Sequence, residues 1–217
     1  VWSRRVGWFL GHVVWRTHVV GAEHVPATGP VVLAANHVSV IDGPLVHGVA
    51  PRGTHLLVKA EIFHGVVGAI LRGAGQIPVD RAAGRPALEA ALGVLRRGGA
   101  VGIFPEGNRG RGDVQSVRAG VAWLAVQGSA PVVPVAVLGT RRTGEGTGHL
   151  PGLRRRLIVE FGAPVVVDVD PDVPRREAVA RTAAAVAEAL GTHVRDAATR
   201  HGMPLPLDGP AAAADIG

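Results

Sequence analysis

Val31-Val32-Leu33-Ala34-Ala35-Asn36-His37-Val38-Ser39-Val40-Ile41-Asp42-Gly43-Pro44 changes character twice within one short stretch. Its first five residues are continuously apolar, which predicts a strand over 31–35 buried on both faces. Polar residues then interrupt the run. Ser39 followed three residues later by Asp42 is close to a capping box, and Pro44 is tolerated only near a helix start. A buried strand, a short polar turn and a helix make the opening half of a strand–helix–strand unit.

The same grammar recurs along the chain. Apolar runs predict strands over 54–58, 76–79, 100–104, 132–138 and 156–161, with a shorter one over 165–167. Helical patterns fall over 40–50, 62–72, 85–97, 117–127 and 175–199; Pro174 precedes the last, and Gly98-Gly99 ends the third of them. Such alternation predicts a single α/β domain with a largely parallel or mixed central sheet flanked by helices. Pro134, inside the run over 132–138, predicts a sheet edge or a bulge there. The Gly-rich, basic stretch 141–153 reads as a loop. The expected organisation is an amphipathic, interfacial N-terminal helix over 1–20, the main domain over 21–200 and a flexible tail over 201–217.

A further helix is predicted over 3–18. At 100° per residue Trp2, Val6, Phe9, Leu10 and Val13 form one apolar stripe, with Arg4, Arg5, His12 and Arg16 opposite and Trp8 and Trp15 on that polar side. Tryptophan beside arginine, opposite an apolar stripe, suits a helix lying in a lipid interface; the alternative is that the stripe packs on the domain. No run of about 18 apolar residues occurs, so no spanning helix is expected.

The chain has 217 residues, enough for one domain with a sizeable core. It contains no cysteine, which excludes disulfides, thiolate-held zinc, iron–sulfur clusters and a thiol nucleophile. Its net charge of +6 comes almost wholly from arginine, 22 residues against the single Lys59. That excess fits an anionic partner (nucleic acid, lipid or a phosphorylated small molecule) or the base composition of the coding DNA.

His37 and Asp42 are the first candidates for chemistry. Five residues apart on one helix their side chains would diverge by about 140°, so they can meet only if the chain turns between them. If they meet, Asp42 accepts one ring N–H of His37 and the other nitrogen can remove a proton from a hydroxyl. Alone the spacing is weak, since about 0.4 chance occurrences are expected, and the plain reading is a surface histidine beside a helix cap. Phe104-Pro105-Glu106-Gly107-Asn108-Arg109 also follows a predicted strand. The tetrapeptide F-P-E-G is expected about once in a thousand such chains, though a solvated Glu–Arg turn is its bland alternative. A third strand ends in Asp80-Arg81, and Arg81 and Arg109 are both suited to hold a phosphate.

These blocks, in this order, resemble those of the glycerolipid acyltransferases, the family of 1-acylglycerol-3-phosphate acyltransferases. The first motif, N-H-x-x-x-x-D, is Asn36-His37 to Asp42 with Ser39 inside it. The second resembles Gly75-Gln76-Ile77-Pro78-Val79-Asp80-Arg81, preceded by Lys59-Ala60-Glu61. The third is similar to F-P-E-G-[TS]-R, with Asn108 in place of Thr or Ser and Gly110 in place of a common Ser. The fourth is the Val133-Pro134-Val135 strand, and Gly21-Ala22-Glu23-His24-Val25-Pro26 with Gly29-Pro30 resembles the lead-in. The likeness spans roughly 20–162.

The resemblance implies an acyltransferase in which His37 is the general base and Asp42 orients it. Arg81, Glu106, Gly107, Asn108 and Arg109 would bind the acceptor's glycerol phosphate. The acyl donor would be a thioester of coenzyme A or acyl carrier protein, used as substrate, with no permanently bound cofactor and no metal. The acceptor would be a lysophospholipid, in the first place 1-acylglycerol-3-phosphate giving phosphatidate, with glycerol-3-phosphate, other lysolipids or a glycolipid as alternatives. With no cysteine and no G-x-S-x-G elbow, direct transfer is favoured over an acyl-enzyme. An anionic membrane surface is the expected partner, which implies a cytoplasmic protein held peripherally on the inner face of the cell membrane.

Two other readings are weaker. A nucleic-acid-binding domain would account for the arginines, but no helix carries a basic stripe with a readout module, and the aromatics cluster at the N-terminus rather than on a stacking sheet. A phosphohydrolase or metal site at Val165–Val167 with Asp168, Asp170 and Asp172 fails as a calcium loop, because Val173 and Val179 stand where Gly and Glu are needed.

Overall fold

The computed structural model describes residues 2–80, 84–107, 109–114, 118–167 and 172–208. In chain order the elements are α1 (Trp2–Phe9), β1 (Arg16–Val20), β2 (Val31–Ala35), α2 (Asp42–Val49), β3 (Thr54–Lys59), α3 (Gly65–Gly73), β4 (Ile77–Val79), α4 (Arg85–Arg96), β5 (Ala100–Ile103), α5 (Gly120–Gly128), β6 (Val132–Leu138), β7 (Arg156–Phe161) and α6 (Arg175–His201). The seven strands form one sheet in the order β1-β7-β6-β2-β5-β3-β4. All pairs are parallel except β6 with β7. This is the mixed α/β sheet expected from the alternating runs.

Side-chain alternation divides the core in two. Val32 and Ala34 of β2 face a layer built from α4, α5 and α6, where Leu92, Leu95, Leu124, Val186, Leu190 and Val194 are buried. Val31, Leu33 and Ala35 face the other way, onto Ile41, Leu45, Val46 and Val49 around α2. Burial on both faces is why β2, β5 and β6 read as continuous apolar runs with no polar alternation.

Four local expectations are corrected. The N-terminal helix does not continue to residue 18. α1 passes into a π-helical turn over Leu10–Val14, closed by Trp15 N–H on the Leu10 carbonyl (2.9 Å), and Arg16–Val20 is a strand on the sheet edge, paired with β7. Thr17, Val19 and Val20 suit that strand. Second, Trp15 is buried and donates its indole N–H to the Pro151 carbonyl at 3.0 Å, whereas Trp8 stays exposed, stacked on His12. Third, Pro134 lies in an interior strand. Its missing N–H falls between Phe161, where β7 ends, and the isolated bridge from Val132 to Val165, so no ladder bond is lost. Of the predicted 165–167 strand only that bridge forms.

The fourth concerns the tail. α6 ends at Gly202 in a left-handed conformation, after which Met203 and Leu205 pack on the core and Asp208 pairs with the buried Arg141. Residues 203–208 are therefore part of the domain. α6 is also tied to β7: burial alone would raise the Glu160 carboxyl, but hydrogen bonds from His201 and Arg200 outweigh it and hold the group low.

α1 docks through its small residues. Ser3, Gly7 and Gly11 are buried, while Trp2, Val6, Trp8, Phe9 and Val13 face outward; of the apolar stripe only Leu10, half-buried, packs on the core around α2. A Cβ on Gly48 of α2 would fall 2.3 Å from the Gly7 carbonyl carbon, so only two glycines let these helices touch. His47, pushed below its ordinary value first by burial, donates Nδ1–H to Thr54 and meets the Ser3 hydroxyl with Nε2 at 3.1 Å. No helix among the described residues is long and apolar enough to cross a membrane.

Candidate active site

The parallel strands deliver their carboxyl ends to one edge of the sheet, where open α/β folds place ligands. Along that edge, in the order β6, β2, β5, β3, β4, the chain leaves the strands at Thr140, His37, Glu106, Lys59-Ala60-Glu61 and Asp80. β2 and β5 are direct neighbours in register, Val31 opposite Ala100 through Ala34 opposite Ile103, which sets the His37 turn beside the Glu106 turn.

Between His37 and Asp42 the chain turns as required. Asp42 occupies the first position of α2, and its Oδ2 accepts His37 Nδ1 at 2.9 Å together with the backbone N–H groups of Val38 and Ser39, each at 2.7 Å. Its Oδ1 accepts the Thr140 hydroxyl at 2.7 Å. The carboxylate is wholly buried and all four of these bonds are donated to it. Because a carboxylate only accepts, Nδ1 of His37 carries the hydrogen and Nε2 is left as the basic nitrogen. No hydrogen bond to Nε2 occurs among the described residues. The imidazole stacks on Phe104, centroids 4.2 Å apart, and its side chain is 15% exposed, so it is held in place yet reachable.

Asn36 completes the first turn from behind. Its side-chain amide donates to the Val137 carbonyl (3.1 Å) and accepts the Val137 N–H (2.7 Å), continuing the β2–β6 ladder with a side chain as the main chain bends away. This leaves His37 at the sheet edge rather than in the strand.

The third motif forms a tight turn in which Gly107 N–H meets the Phe104 carbonyl at 3.0 Å. Gly107 has φ +73°, and a Cβ there would come 2.3 Å from Arg118 Nε, so the position demands glycine and the Arg118 guanidinium crosses the turn. Glu106 Oε1 accepts the backbone N–H of His37 at 2.9 Å, and Gly110 N–H meets the His37 carbonyl at 2.9 Å. The two motifs are thus joined through the His37 main chain. Behind them the buried Arg141 donates to the Gly110 carbonyl at 3.1 Å.

Burial pushes the Glu106 carboxyl up to about 7; the His37 N–H opposes this, and the charges of Asp113 and Asp42 add to it. Between about pH 4.5 and 7 the folded chain therefore holds a proton that the unfolded chain has released, and this group's contribution to stability falls as pH rises. Glu106→Gln, which keeps an acceptor for His37 N–H, should remove that dependence. Thermal unfolding from pH 4.5 to 8 should show the variant gaining on the wild type with rising pH; parallel curves would refute the raised value.

Two of the residues singled out in sequence, Arg81 and Asn108, lie outside the described residues, as do Asp168 and Asp170. Arg109 sits half-buried on the loop that closes on His37. Thr140, Arg118 and Arg141 were not singled out, and Phe104 entered only as the first residue of the third motif, without a role. Thr140 had a usable signal, a polar residue just past the apolar run 132–138. Thr140→Val should leave one oxygen of Asp42 without its donor, lower kcat about tenfold and cost about 1–3 kcal/mol, while Thr140→Ser restores both. Steady-state rates with thermal unfolding measure this; a valine variant as active as wild type would make the bond dispensable. No group of three or more side chains suited to a metal ion occurs among the described residues.

Comparison with known proteins bears on the same motifs. The acyltransferase family profile matches residues 16–138. A Bacillus subtilis 1-acyl-sn-glycerol-3-phosphate acyltransferase is 35% identical over 124 residues, covering 56% of this chain and 62% of that protein. The human 1-acyl-sn-glycerol-3-phosphate acyltransferase beta is 31% identical over 140 residues, covering 60% and 50%. The chain thus spans about half to three fifths of these relatives. In fold it is similar to the crystal structure of the 1-acyl-sn-glycerophosphate (LPA) acyltransferase PlsC from Thermotoga maritima, with a TM-score of 0.69 and 22% identity over 90% of this chain and 78% of that one. The profile runs from β1 to the end of β6, through the strands that carry His37, Glu106 and Thr140, and it takes in more than half of the residues: the chain belongs to the acyltransferase family.

Proposed function

We propose that the protein transfers a fatty acyl group from a thioester of coenzyme A or acyl carrier protein to the hydroxyl of 1-acylglycerol-3-phosphate, forming phosphatidate. The observation that carries this reading is the His37–Asp42 pair, locked by its main chain to the Glu106 turn at one sheet edge. The names of the relatives supply the acceptor.

His37 Nε2 takes the proton of the acceptor hydroxyl as that oxygen attacks the thioester carbonyl carbon. Asp42 stabilises the imidazolium so formed. The tetrahedral intermediate then expels the thiolate, which recovers the proton from His37, leaving an ester and a free thiol. Arg81, Arg109 and the Glu106-Gly107-Asn108 turn bind the glycerol phosphate; guanidinium forks suit a phosphate, and the Glu106 carboxyl can meet a hydroxyl. Arg118, crossing the Gly107 turn, adds a cation to that side.

Acceptor and product are lipids, and α1 with its π-turn presents Trp2, Val6, Phe9 and Val13 outward. We read this face as seated in an anionic bilayer surface, with the protein held peripherally on the cytoplasmic side.

The test is thiol release from acyl-coenzyme A, with and without lysophosphatidate in mixed micelles. Release that depends on lysophosphatidate, with phosphatidate formed, supports the reading. Release without any acceptor would make the protein a thioesterase, and release only with glycerol-3-phosphate or another lysolipid would replace the acceptor.

A further inference from the structure

Three segments far apart in the chain turn apolar side chains outward, and they adjoin. Trp2, Val6, Phe9 and Val13 belong to α1 and its π-turn, Val66 and Ile70 to α3, and Leu150 and Leu153 to the loop between β6 and β7. Val66 and Leu153 are each 78% exposed, far more than a buried stripe allows. Isolated exposed apolar residues are ordinary, but a contiguous band of them marks an interaction surface.

Contiguity follows from particular contacts. Val66, Ile70 and Gly73 stand at i, i+4 and i+7, so they share one face of α3. Gly73 borders the Trp2 indole, because a Cβ there would lie 3.5 Å from Trp2 Cζ2. At the other end of α1, Arg154 N–H donates to the Val14 carbonyl at 2.7 Å and the Trp15 indole to the Pro151 carbonyl at 3.0 Å. These bonds fasten the loop carrying Leu150 and Leu153 to the end of the π-turn. The band runs from α3 along α1 to the loop.

Charge identifies the occupant. Residues 2–16, 63–74 and 146–156 contain seven arginines and no aspartate or glutamate; Arg155 is neutralised in a part-buried pair with the adjoining Glu145, which leaves six. Two copies meeting face to face would oppose arginine to arginine, whereas an anionic lipid surface complements them. Trp2, within the band, suits the depth of the headgroups. The loop also reaches the first motif, since Val40 N–H donates to the Thr147 carbonyl at 3.0 Å, so the band borders the turn that carries His37.

We infer that α3 and the 146–153 loop join α1 in a single rigid surface that seats the protein on an anionic phospholipid bilayer with the His37 turn at its border. The inference rests on the bilayer reading of α1 and extends it: α1 is one strip of the contact, and two strips from the body of the domain complete it.

The full-length chain and the pairs Val66→Asp/Ile70→Asp, Leu150→Asp/Leu153→Asp and Val6→Asp/Phe9→Asp test this, by cosedimentation with vesicles of phosphatidylcholine containing about one third phosphatidylglycerol. Circular dichroism and thermal unfolding select folded variants, and the substituted side chains are exposed in the fold. All three pairs should weaken binding about tenfold or more, and wild-type binding should fall in high salt and on pure phosphatidylcholine. If only the Val6/Phe9 pair loses binding, α1 acts alone and the inference is overturned while the reading of α1 stands. If the wild type does not bind vesicles, both fall. A dimer in sedimentation equilibrium that Val66→Asp/Ile70→Asp dissociates would make the band a protein interface and overturn the inference.

Discussion

Replacing His37 with alanine should lower kcat about a thousandfold while the fold stays intact. A positioned general base contributes about 10²–10⁴ in rate, and no cysteine is available as a substitute nucleophile. The fold should survive because the imidazole hangs from a turn that is fastened independently: Glu106 and Gly110 hold the His37 backbone, and Asp42 still caps Val38 and Ser39. Acyl transfer measured beside a circular dichroism spectrum checks both halves. Near-normal turnover would remove His37 from the chemistry.

Asp42→Ala should have the largest effect on stability. Four donors converge on this wholly buried carboxylate, from His37, Val38, Ser39 and Thr140, and alanine leaves all of them unpaired. Stranding one side of such a buried arrangement costs about 3–5 kcal/mol, a large share of a domain's total stability. Asp42→Asn separates the charge from the geometry. An asparagine oxygen can replace Oδ2 and its amide can donate to Thr140, whose hydroxyl also accepts, so the fold should be nearly kept. Without the negative charge the imidazolium is no longer stabilised, and kcat should fall about a hundredfold or more. Chemical denaturation of both variants, read beside their rates, distinguishes the two roles. An alanine variant as stable as wild type would mean that the donors find other partners.

The central strands were legible because burial on both faces writes them as unbroken apolar runs, and the turn between His37 and Asp42 was legible because Ser39 and Pro44 constrain where α2 can start. β1 was not legible. The helical stripe ending at Val13 runs straight into it, and what makes Arg16–Val20 a strand is the register with β7, some 140 residues away. Pro134 misled for a related reason: its place in an interior strand is allowed by a gap in the neighbouring ladder that only the sheet order reveals. The direction in which α1 faces was open in sequence. The Ser3, Gly7 and Gly11 spacing was visible there, but its meaning depends on Gly48 of α2, found only in the packing.

The site divides along the same line. Residues within one turn, such as His37 and Asp42, could be paired from local rules. Thr140 completes Asp42 from 98 positions further along, through the adjacency of β6 and β2. Glu106 was expected at the acceptor, and in the fold it also holds the His37 main chain, a contact that needs β5 beside β2.

The central claim is direct transfer with His37 as the base, and a rapid-quench first turnover tests it most closely. Protein in excess over acyl-coenzyme A is mixed with lysophosphatidate, and thiol, phosphatidate and intact protein mass are followed together. Direct transfer predicts that thiol and phosphatidate appear at one rate, that the protein mass never changes, and that both products vanish in His37→Ala. Thiol appearing ahead of phosphatidate, with the protein heavier by one acyl group, would contradict it.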